Sequence, residues 1–320
     1  MAEFIAQIFA GDEAKEEFAV SFHPQSFGSG PALNCGTKLT YNLVAVAGRE
    51  GAFQVIDASK GSIGRISGPD HFDILSIAEL ERGRYALGTT EGLRTMGTDG
   101  GVLGEPSITE PVSSLAMMPW GGGSVVTGSR DNVRQFNFDT LSERRYHSVR
   151  DIRRKFGTVV KLIPNGNELI IAAGQEVLVL DARFEVATRV PVHFQITDAA
   201  LAGDGSLVVC GQGTLAHVSL YRGAFARSLP ASGSAKYTAV HLLREGLVCT
   251  GTDEGVLGAV AIDSGEEVGT LTLPFPIRGI VPVEGKLVVY GGARHSTSRT
   301  SALVNWKERG PSGRPEATTN

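Results

Sequence analysis

Near the C-terminal end of the chain, Leu287-Val-Val-Tyr-Gly291 is the last of seven short apolar or β-branched runs that end in glycine. The earlier runs end at Gly48, Gly88, Gly128, Gly174, Gly211 and Gly251. The steps between successive glycines are 40, 40, 46, 37, 40 and 40 residues. A period of about 40 to 45 residues is typical of propellers with four short strands per blade. The repeat therefore predicts an all-β, seven-bladed β-propeller.

The sequence around each glycine supports four strands per repeat. A polar turn follows the glycine, and then comes an alternating strand such as Val177-Leu-Val-Leu-Asp181. Another apolar run precedes the glycine, as in residues 159–163. Helical periodicity is absent, and the 41 glycines, about twice the average usage, fit a protein with many tight turns.

The ends of the chain carry three further predictions. Residues 2–9 precede the first repeat, and we expect them to form the outer strand of the seventh blade and so to close the ring. Residues 18–22 are expected to be the first inner strand, with a long loop over residues 25–40. The propeller is predicted to span residues 1–309. The Pro-, Gly- and Thr-rich residues 310–320 are expected to form a disordered tail.

Composition argues against several classes of protein. The 30 basic residues nearly balance the 34 acidic ones, so the totals favour neither nucleic-acid nor membrane-surface binding. No apolar run reaches the roughly 20 residues of a membrane span, and no signal peptide is evident. Cys35, Cys210 and Cys249 lack a CxxC spacing, which predicts buried thiols in a reducing compartment. We therefore expect an intracellular protein without a metal or another cofactor.

Several segments resemble WD40 propellers of the Bub-three family, which includes checkpoint proteins and the related Rae-one mRNA-export proteins. The chain starts with Glu3-Phe4-Ile5, followed by Phe18-Ala-Val-Ser-Phe-His-Pro24. Thr127-Gly-Ser-Arg-Asp-Asn132 is similar to the third-blade turn of that family. Val177-Leu-Val-Leu-Asp-Ala-Arg183 is similar to the end of its fourth blade, and Gly251-Thr-Asp-Glu-Gly-Val256 fits its sixth.

The resemblance implies a nuclear, kinetochore-associated scaffold. One face of the propeller would grip a peptide motif of a Bub-type checkpoint kinase or pseudokinase, and the propeller would be monomeric within that hetero-complex. Heavy divergence would suit a lineage such as the kinetoplastid kinetochore. The chain departs from the family where a partner-binding arginine is replaced by Thr197 or Asp198, and a turn tryptophan by Arg130. Gln212 and Gly213 stand where the family has an acidic turn. These departures put phosphopeptide binding in doubt.

In a propeller, the turns between second and third strands and the loops between blades gather on one face. Together with Arg150, Arg153, Arg154 and Lys155, which we expect in a loop, that face supplies the predicted partner-binding residues. They are Arg49, Arg130, Arg150, Arg153, Arg154, Lys155, Gln212 and Arg294. Arginine forks match carboxylate and phosphate oxygens, so an acidic or phosphorylated peptide is the expected ligand. A solvated charged loop without a partner is the alternative explanation of this basic cluster.

No catalytic residue is predicted. The seven histidines show no HxH or HxxxH arrangement, and no serine, histidine and aspartate set has local motif support. We therefore expect a non-catalytic scaffold of the Bub-three type. An mRNA-export or nuclear-pore propeller is the second hypothesis, and a propeller hydrolase is the third.

Overall fold

A computed structural model describes residues 19–66, 72–81, 84–97, 100–101, 108–118, 124–138, 146–221, 225–229, 236–293 and 299–309. Within these ranges the regular elements are β-strands and one short 3-10 turn, Arg49–Gly51. No helix of the described chain is long and apolar enough to cross a membrane.

The strands, numbered along the chain, form six antiparallel sheets within the described ranges. The first contains β2 (Leu33–Lys38), β3 (Leu43–Gly48), β4 (Phe53–Asp57) and β5 (Ser62–Ile66). The second contains β6 (Ile74–Glu81), β7 (Arg84–Thr89) and β8 (Gly92–Met96). The third contains β9 (Ser114–Met118), β10 (Ser124–Phe138), β11 (Tyr146–Asn165), β12 (Glu168–Ala173), β13 (Glu176–Leu180) and β14 (Val186–Pro191).

The remaining sheets each have four strands. The fourth contains β15 (Asp198–Leu201), β16 (Leu207–Gly211), β17 (Thr214–Ser219) and β18 (Phe225–Leu229). The fifth contains β19 (Tyr237–Arg244), β20 (Leu247–Thr252), β21 (Val256–Ala261) and β22 (Glu267–Thr272). The sixth contains β23 (Ile277–Val283), β24 (Lys286–Gly291), β25 (Arg299–Arg309) and β1 (Ala19–Ser29).

These sheets close into a ring. The inner strands β2, β6, β9, β11, β15, β19 and β23 pack side by side in chain order, and β23 packs beside β2. Buried apolar side chains fill the space between neighbouring sheets, as Val208, Leu215, Val240 and Val260 do between the fourth and fifth. This closed circle of packed antiparallel sheets is a β-propeller, so the predicted all-β propeller fold is confirmed.

The described residues form six blades, so the prediction of seven is wrong. The cause is the third sheet, in which β11 pairs with β10 along its first part and with β12 from residue 159 onward. Strand β10 is itself sharply bent. The bend is shown by a hydrogen bond from Nε2 of Gln135 to Oγ of Ser124, at 2.8 Å, between two residues of the same strand. Eleven residues of straight strand would separate them by about 36 Å. Two glycine-ended repeats, those of Gly128 and Gly174, thus share one sheet of six strands.

Among the described residues, the N-terminal strand β1 closes the last blade. Strand β1 pairs with β25 from Ala19 opposite Arg309 to Ser29 opposite Arg299. The run at residues 18–22, expected as the first inner strand, thus belongs mainly to the outer strand of the last blade. The first inner strand is β2, inside the predicted loop. Its half-buried Asn34, Gly36 and Thr37 give it no apolar run by which it could be recognised. The predictions for residues 2–9 and 310–320 fall outside the described ranges.

Close approach explains most of the repeated glycines. At Gly211 an added Cβ would lie 2.0 Å from the backbone oxygen of Gln195, in the segment that leads into the same blade. At Gly251 it would lie 2.4 Å from Cγ2 of Ile277 on the next inner strand. Gly174 differs, because it occupies a turn with φ of 55°. The period along the sequence therefore mostly marks points where the second strand of a blade lies close to an inner strand or to the segment that leads into one.

Candidate interaction face and central channel

One face of the ring carries the turns between the second and third strands of each blade, and we call it the turn face. The loops that lead from one blade to the next meet these turns. The backbone N–H of Gly51 donates to the carbonyl of Phe72 at 3.0 Å, and that of Val192 donates to Gln175 at 2.8 Å. Turns and connecting loops therefore form one continuous surface.

Three predicted partner-binding residues lie on the turn face. Nε of Arg49 is 3.9 Å from a carboxylate oxygen of Asp73, in the loop that leads to the second blade. The side chain of Arg130 is 85% exposed, with its Nε 3.9 Å from the carboxylate of Asp131. Gln212 is exposed at a turn with φ of 43°. Arg294, the predicted residue of the last turn, lies outside the described residues.

The basic cluster is not the loop that was predicted. Arg150, Arg153, Arg154 and Lys155 lie within strand β11, where Arg150 pairs with Gln135 and Arg153 with Asn132 on β10. The strand pairs on only one side along residues 146–155 in the described part of the chain. Charged residues on an edge strand discourage pairing with other chains. The density of charge suggested a loop, whereas an edge strand accommodates the same residues.

Acidic partners offset two further cations of the turn face. Arg94 contacts Glu91 at 2.8 Å, and Arg134 contacts Glu110 at 2.5 Å. Asn132 also donates to Glu110, at 3.1 Å. Both carboxylates are exposed to solvent although the arginines are largely buried, and such solvent-accessible pairs contribute roughly 0 to 1 kcal/mol each. Their effect is to make the face a mosaic of both signs rather than a broad positive surface.

A groove of about 690 Å³ opens on the turn face beside the turn that carries Gln175. Its lining includes Gln175, Glu176, Arg189, Pro191, His193 and Gln195. The Gln175, Pro191 and His193 side chains are exposed. The Arg189 side chain is 65% exposed, and its Nε donates to the almost buried carboxylate of Glu176. That bond leaves the other guanidinium N–H groups of Arg189 available at the groove.

The sequence analysis named Gln212 on this face but did not identify the groove residues Arg189, His193 and Gln195. The segment Pro191-Val-His-Phe-Gln195 alternates exposed and more buried positions. The segment has no run of charged residues and mostly lies between predicted strands, so it does not stand out in the sequence. Its alternation of polar and apolar residues is the signal that could have identified it.

Side-chain hydrogen bonds join the inner strands around the channel, and we call this set the inner-strand belt. In five junctions a hydroxyl or amide donates to a backbone carbonyl at the next inner strand. The pairs are Asn34 and Ile74, Ser76 and Val112, Ser113 and Val159, Thr197 and Tyr237, and Thr238 and Ile277, at 3.2, 3.2, 2.5, 2.8 and 2.5 Å.

Two other kinds of contact complete the belt. Between β11 and β15, Nζ of Lys161 contacts Oδ1 of Asp198 at 3.0 Å. Between the last blade and β2, the phenol of Tyr290 packs against Gly36, where an added Cβ would lie 2.7 Å from Cε1, and burial raises the pKa of that phenol. Gly279 makes room for the phenol, since an added Cβ would lie 2.0 Å from its oxygen. Every junction of the inner ring therefore carries a polar side-chain contact.

The described chain brings together one serine, histidine and aspartate set. Oγ of Ser206 lies 2.5 Å from Nε2 of His217 and 2.5 Å from Oδ1 of Asp204. The Asp204 carboxylate bonds to the serine rather than to the other ring nitrogen of the histidine. It also accepts the backbone N–H of Ser206, and these bonds lower the pKa of Asp204. The set stabilises a turn and lacks the relay order of a hydrolytic triad.

The three cysteines are buried and unpaired, as predicted. Cys210 and Cys249 lie in the second strands of neighbouring blades, and burial raises the pKa of both thiols. No group of three or more histidine, cysteine, aspartate or glutamate side chains that could hold a metal ion occurs among the described residues. The cysteines therefore serve as apolar core residues.

Comparison with known proteins gives no family assignment. A scan against protein-family models found no match, and a search of curated proteins found none.

Proposed function

We propose that this propeller is a non-catalytic scaffold that binds a peptide segment of a partner protein on its turn face. The observation that carries the proposal is the groove between the turn at Gln175 and the loop at His193. It offers exposed amide and imidazole groups for the backbone of an extended peptide. It also offers the guanidinium of Arg189, and arginine is enriched at interfaces.

The rigidity of the surrounding ring supports the same function. The walls of the groove are attached to buried strands of the closed ring. The backbone N–H of Val192 donates to the carbonyl oxygen of Gln175 at 2.8 Å, and this bond holds one wall against the other. A preformed groove lowers the entropy that a flexible peptide must lose on binding.

The partner class comes from the resemblance to the Bub-three family. We propose a motif of a Bub-type checkpoint kinase or pseudokinase, bound in the nucleus at kinetochores. The mosaic of charges on the turn face suits a peptide with mixed charges better than a highly phosphorylated one, because Asp73, Glu91 and Glu110 would repel added phosphates.

Affinity purification of the tagged full chain from dividing cells, followed by mass spectrometry, tests this proposal. We expect a stoichiometric checkpoint kinase or pseudokinase. The double variant Gln175→Ala, His193→Ala should reduce its recovery several-fold, since about 1.4 kcal/mol of lost binding corresponds to a factor of ten. Arg183→Ala is the matched control, because Arg183 is exposed at the turn between β13 and β14, at the opposite end of the sheet.

Other outcomes decide between the alternatives. Recovery of nucleoporins and export factors would favour the Rae-one type of function, and recovery of no stable partner would reject the scaffold. Replacing Arg153, Arg154 and Lys155 by glutamine tests the basic cluster separately. We expect weaker partner binding, and an unchanged affinity would remove that strand from the binding surface.

A further inference from the structure

The central channel contains a cavity of about 360 Å³, lined by several inner strands. The charged residues of its described lining are Lys161 on β11, Asp198 on β15 and Arg278 on β23. Two cationic residues thus accompany a single carboxylate. The volume lies at the lower end of the range of roughly 300–1,000 Å³ for ligand pockets, so the cavity suits a small molecule.

The carboxylate of Asp198 has both oxygens engaged. Oδ1 contacts Nζ of Lys161 at 3.0 Å, and Oδ2 accepts the backbone N–H of Val240 at 3.0 Å. Asp198 therefore has little capacity left to bind a cation. The ammonium of Lys161 has three N–H groups and its side chain is 44% exposed, so donors remain after the contact with Asp198.

Three hydroxyl protons of the described lining are committed to the inner-strand belt. Ser76, Ser113 and Thr197 donate to backbone carbonyls at 3.2, 2.5 and 2.8 Å. These protons are not available to a ligand unless the belt opens. Recognition of a ligand's charge therefore falls to Lys161 and Arg278.

The surroundings of Lys161 and Asp198 are also unfavourable for a further cation. His241 follows Val240 on β19, and its pKa is lowered to about 4, chiefly by burial and then by the charge of Lys161. The charge of Asp198 opposes this shift only in part. At neutral pH the imidazole is uncharged, and the positive charge of Lys161 still acts in its surroundings.

We propose that the central channel binds one small oxyanion, a carboxylate or phosphate compound, through Lys161 and Arg278. Both side chains favour this chemistry, because a guanidinium grips two oxyanion oxygens at once and an ammonium contributes a compact charge. This site is distinct from the peptide groove and does not depend on the proposed partner.

Isothermal titration of the full chain with inorganic phosphate and with succinate, at constant ionic strength in sodium chloride, tests the proposal. We expect saturable binding of at least one probe at one site per chain. Arg278→Gln should weaken it at least tenfold, and so should Lys161→Met. Lys60→Met is the control, since Lys60 is 78% exposed in a turn away from the channel, and its affinity should equal that of the wild type.

The variants also separate binding from folding. Lys161→Met leaves Asp198 without its cation, whereas Arg278→Gln keeps that pair intact, so the second variant decides if the first does not fold. Binding of phosphate alone or of succinate alone supports the proposal and identifies the source of the oxyanion. Absence of saturable binding, or binding that Arg278→Gln leaves unchanged, would overturn it.

Discussion

Replacing Thr238 by valine tests whether the inner-strand belt stabilises the ring. The Thr238 hydroxyl lies 2.5 Å from the carbonyl oxygen of Ile277 on β23 and 3.1 Å from that of Gly251 on β20. Valine has nearly the same shape as threonine, and it is favoured in strands. The substitution therefore removes the bond between two blades while adding little strain.

The size of the effect follows from the number of protons. A hydroxyl carries one proton and donates to one of these carbonyls at a time, so a single hydrogen bond is lost. Its net contribution is about 0.5–1.5 kcal/mol, and an unsatisfied buried acceptor adds about 1–3 kcal/mol. Channel water can reach part of this site, because Thr238 is only half-buried. We therefore expect a loss of about 1–2 kcal/mol in the free energy of unfolding.

Urea or thermal unfolding, followed by circular dichroism, measures this loss. Thr270→Val is the matched control, because Thr270 is exposed on the outer strand β22. A substitution at such a surface position should change stability by less than about 0.5 kcal/mol. If Thr238→Val unfolds at the same urea concentration as Thr270→Val, the bond between β19 and β23 does not stabilise the ring and the reasoning fails.

Three further predictions follow from the fold. Gly211→Ala should lower the free energy of unfolding by about 1–3 kcal/mol or more, because its methyl would lie 2.0 Å from the Gln195 oxygen. Gly203→Ala is the control and should be nearly neutral, since an added Cβ there has no contact nearer than 3.9 Å. Equal unfolding midpoints of the two variants would disprove the close-approach argument. The pKa of His241 is lowered from 6.5 to about 4, so its neutral form contributes fully to the free energy of unfolding above pH 6.5, and this contribution is lost as the pH falls toward 4. Between pH 7.5 and 4.5 the wild type should therefore lose about 2–3 kcal/mol more of its free energy of unfolding than His241→Gln does. Equal losses in the two proteins would contradict this prediction. The three buried thiols should stay unreactive toward a disulfide reagent until the protein unfolds, and a fast reaction of the native protein would show that they are accessible.

Sequence periodicity was sufficient to predict the all-β propeller, because the glycines mark a close contact that recurs in most repeats. Gly211 and Gly251 show why the signal survives, since no side chain fits there. The number of blades was not predictable in the same way. Whether β10 and β11 end at their bends or continue through them depends on local backbone geometry, which the glycine spacing does not record.

Contacts between inner strands across the ring could not be predicted from the sequence. Lys161 and His241 are polar residues inside apolar runs, and they lie near one another only because the ring brings β11 and β19 to the same channel. Residues 25–40 looked like a loop because Asn34 and Thr37 serve the channel instead of an apolar core. Spacing along the chain identifies neighbours within a blade, whereas contacts across the ring require the fold.

The pairing of β1 with β25 has a consequence for the order of synthesis. Ala19 is among the first described residues to leave the ribosome, and its partner Arg309 follows 290 residues later. At about 5–20 residues per second, that interval is roughly 15 to 60 s. During this time the newly made chain has an open circle with two unsatisfied sheet edges. A permuted chain that starts just before β2 and carries β1 after β25 would build each blade from consecutive strands and shorten that exposure.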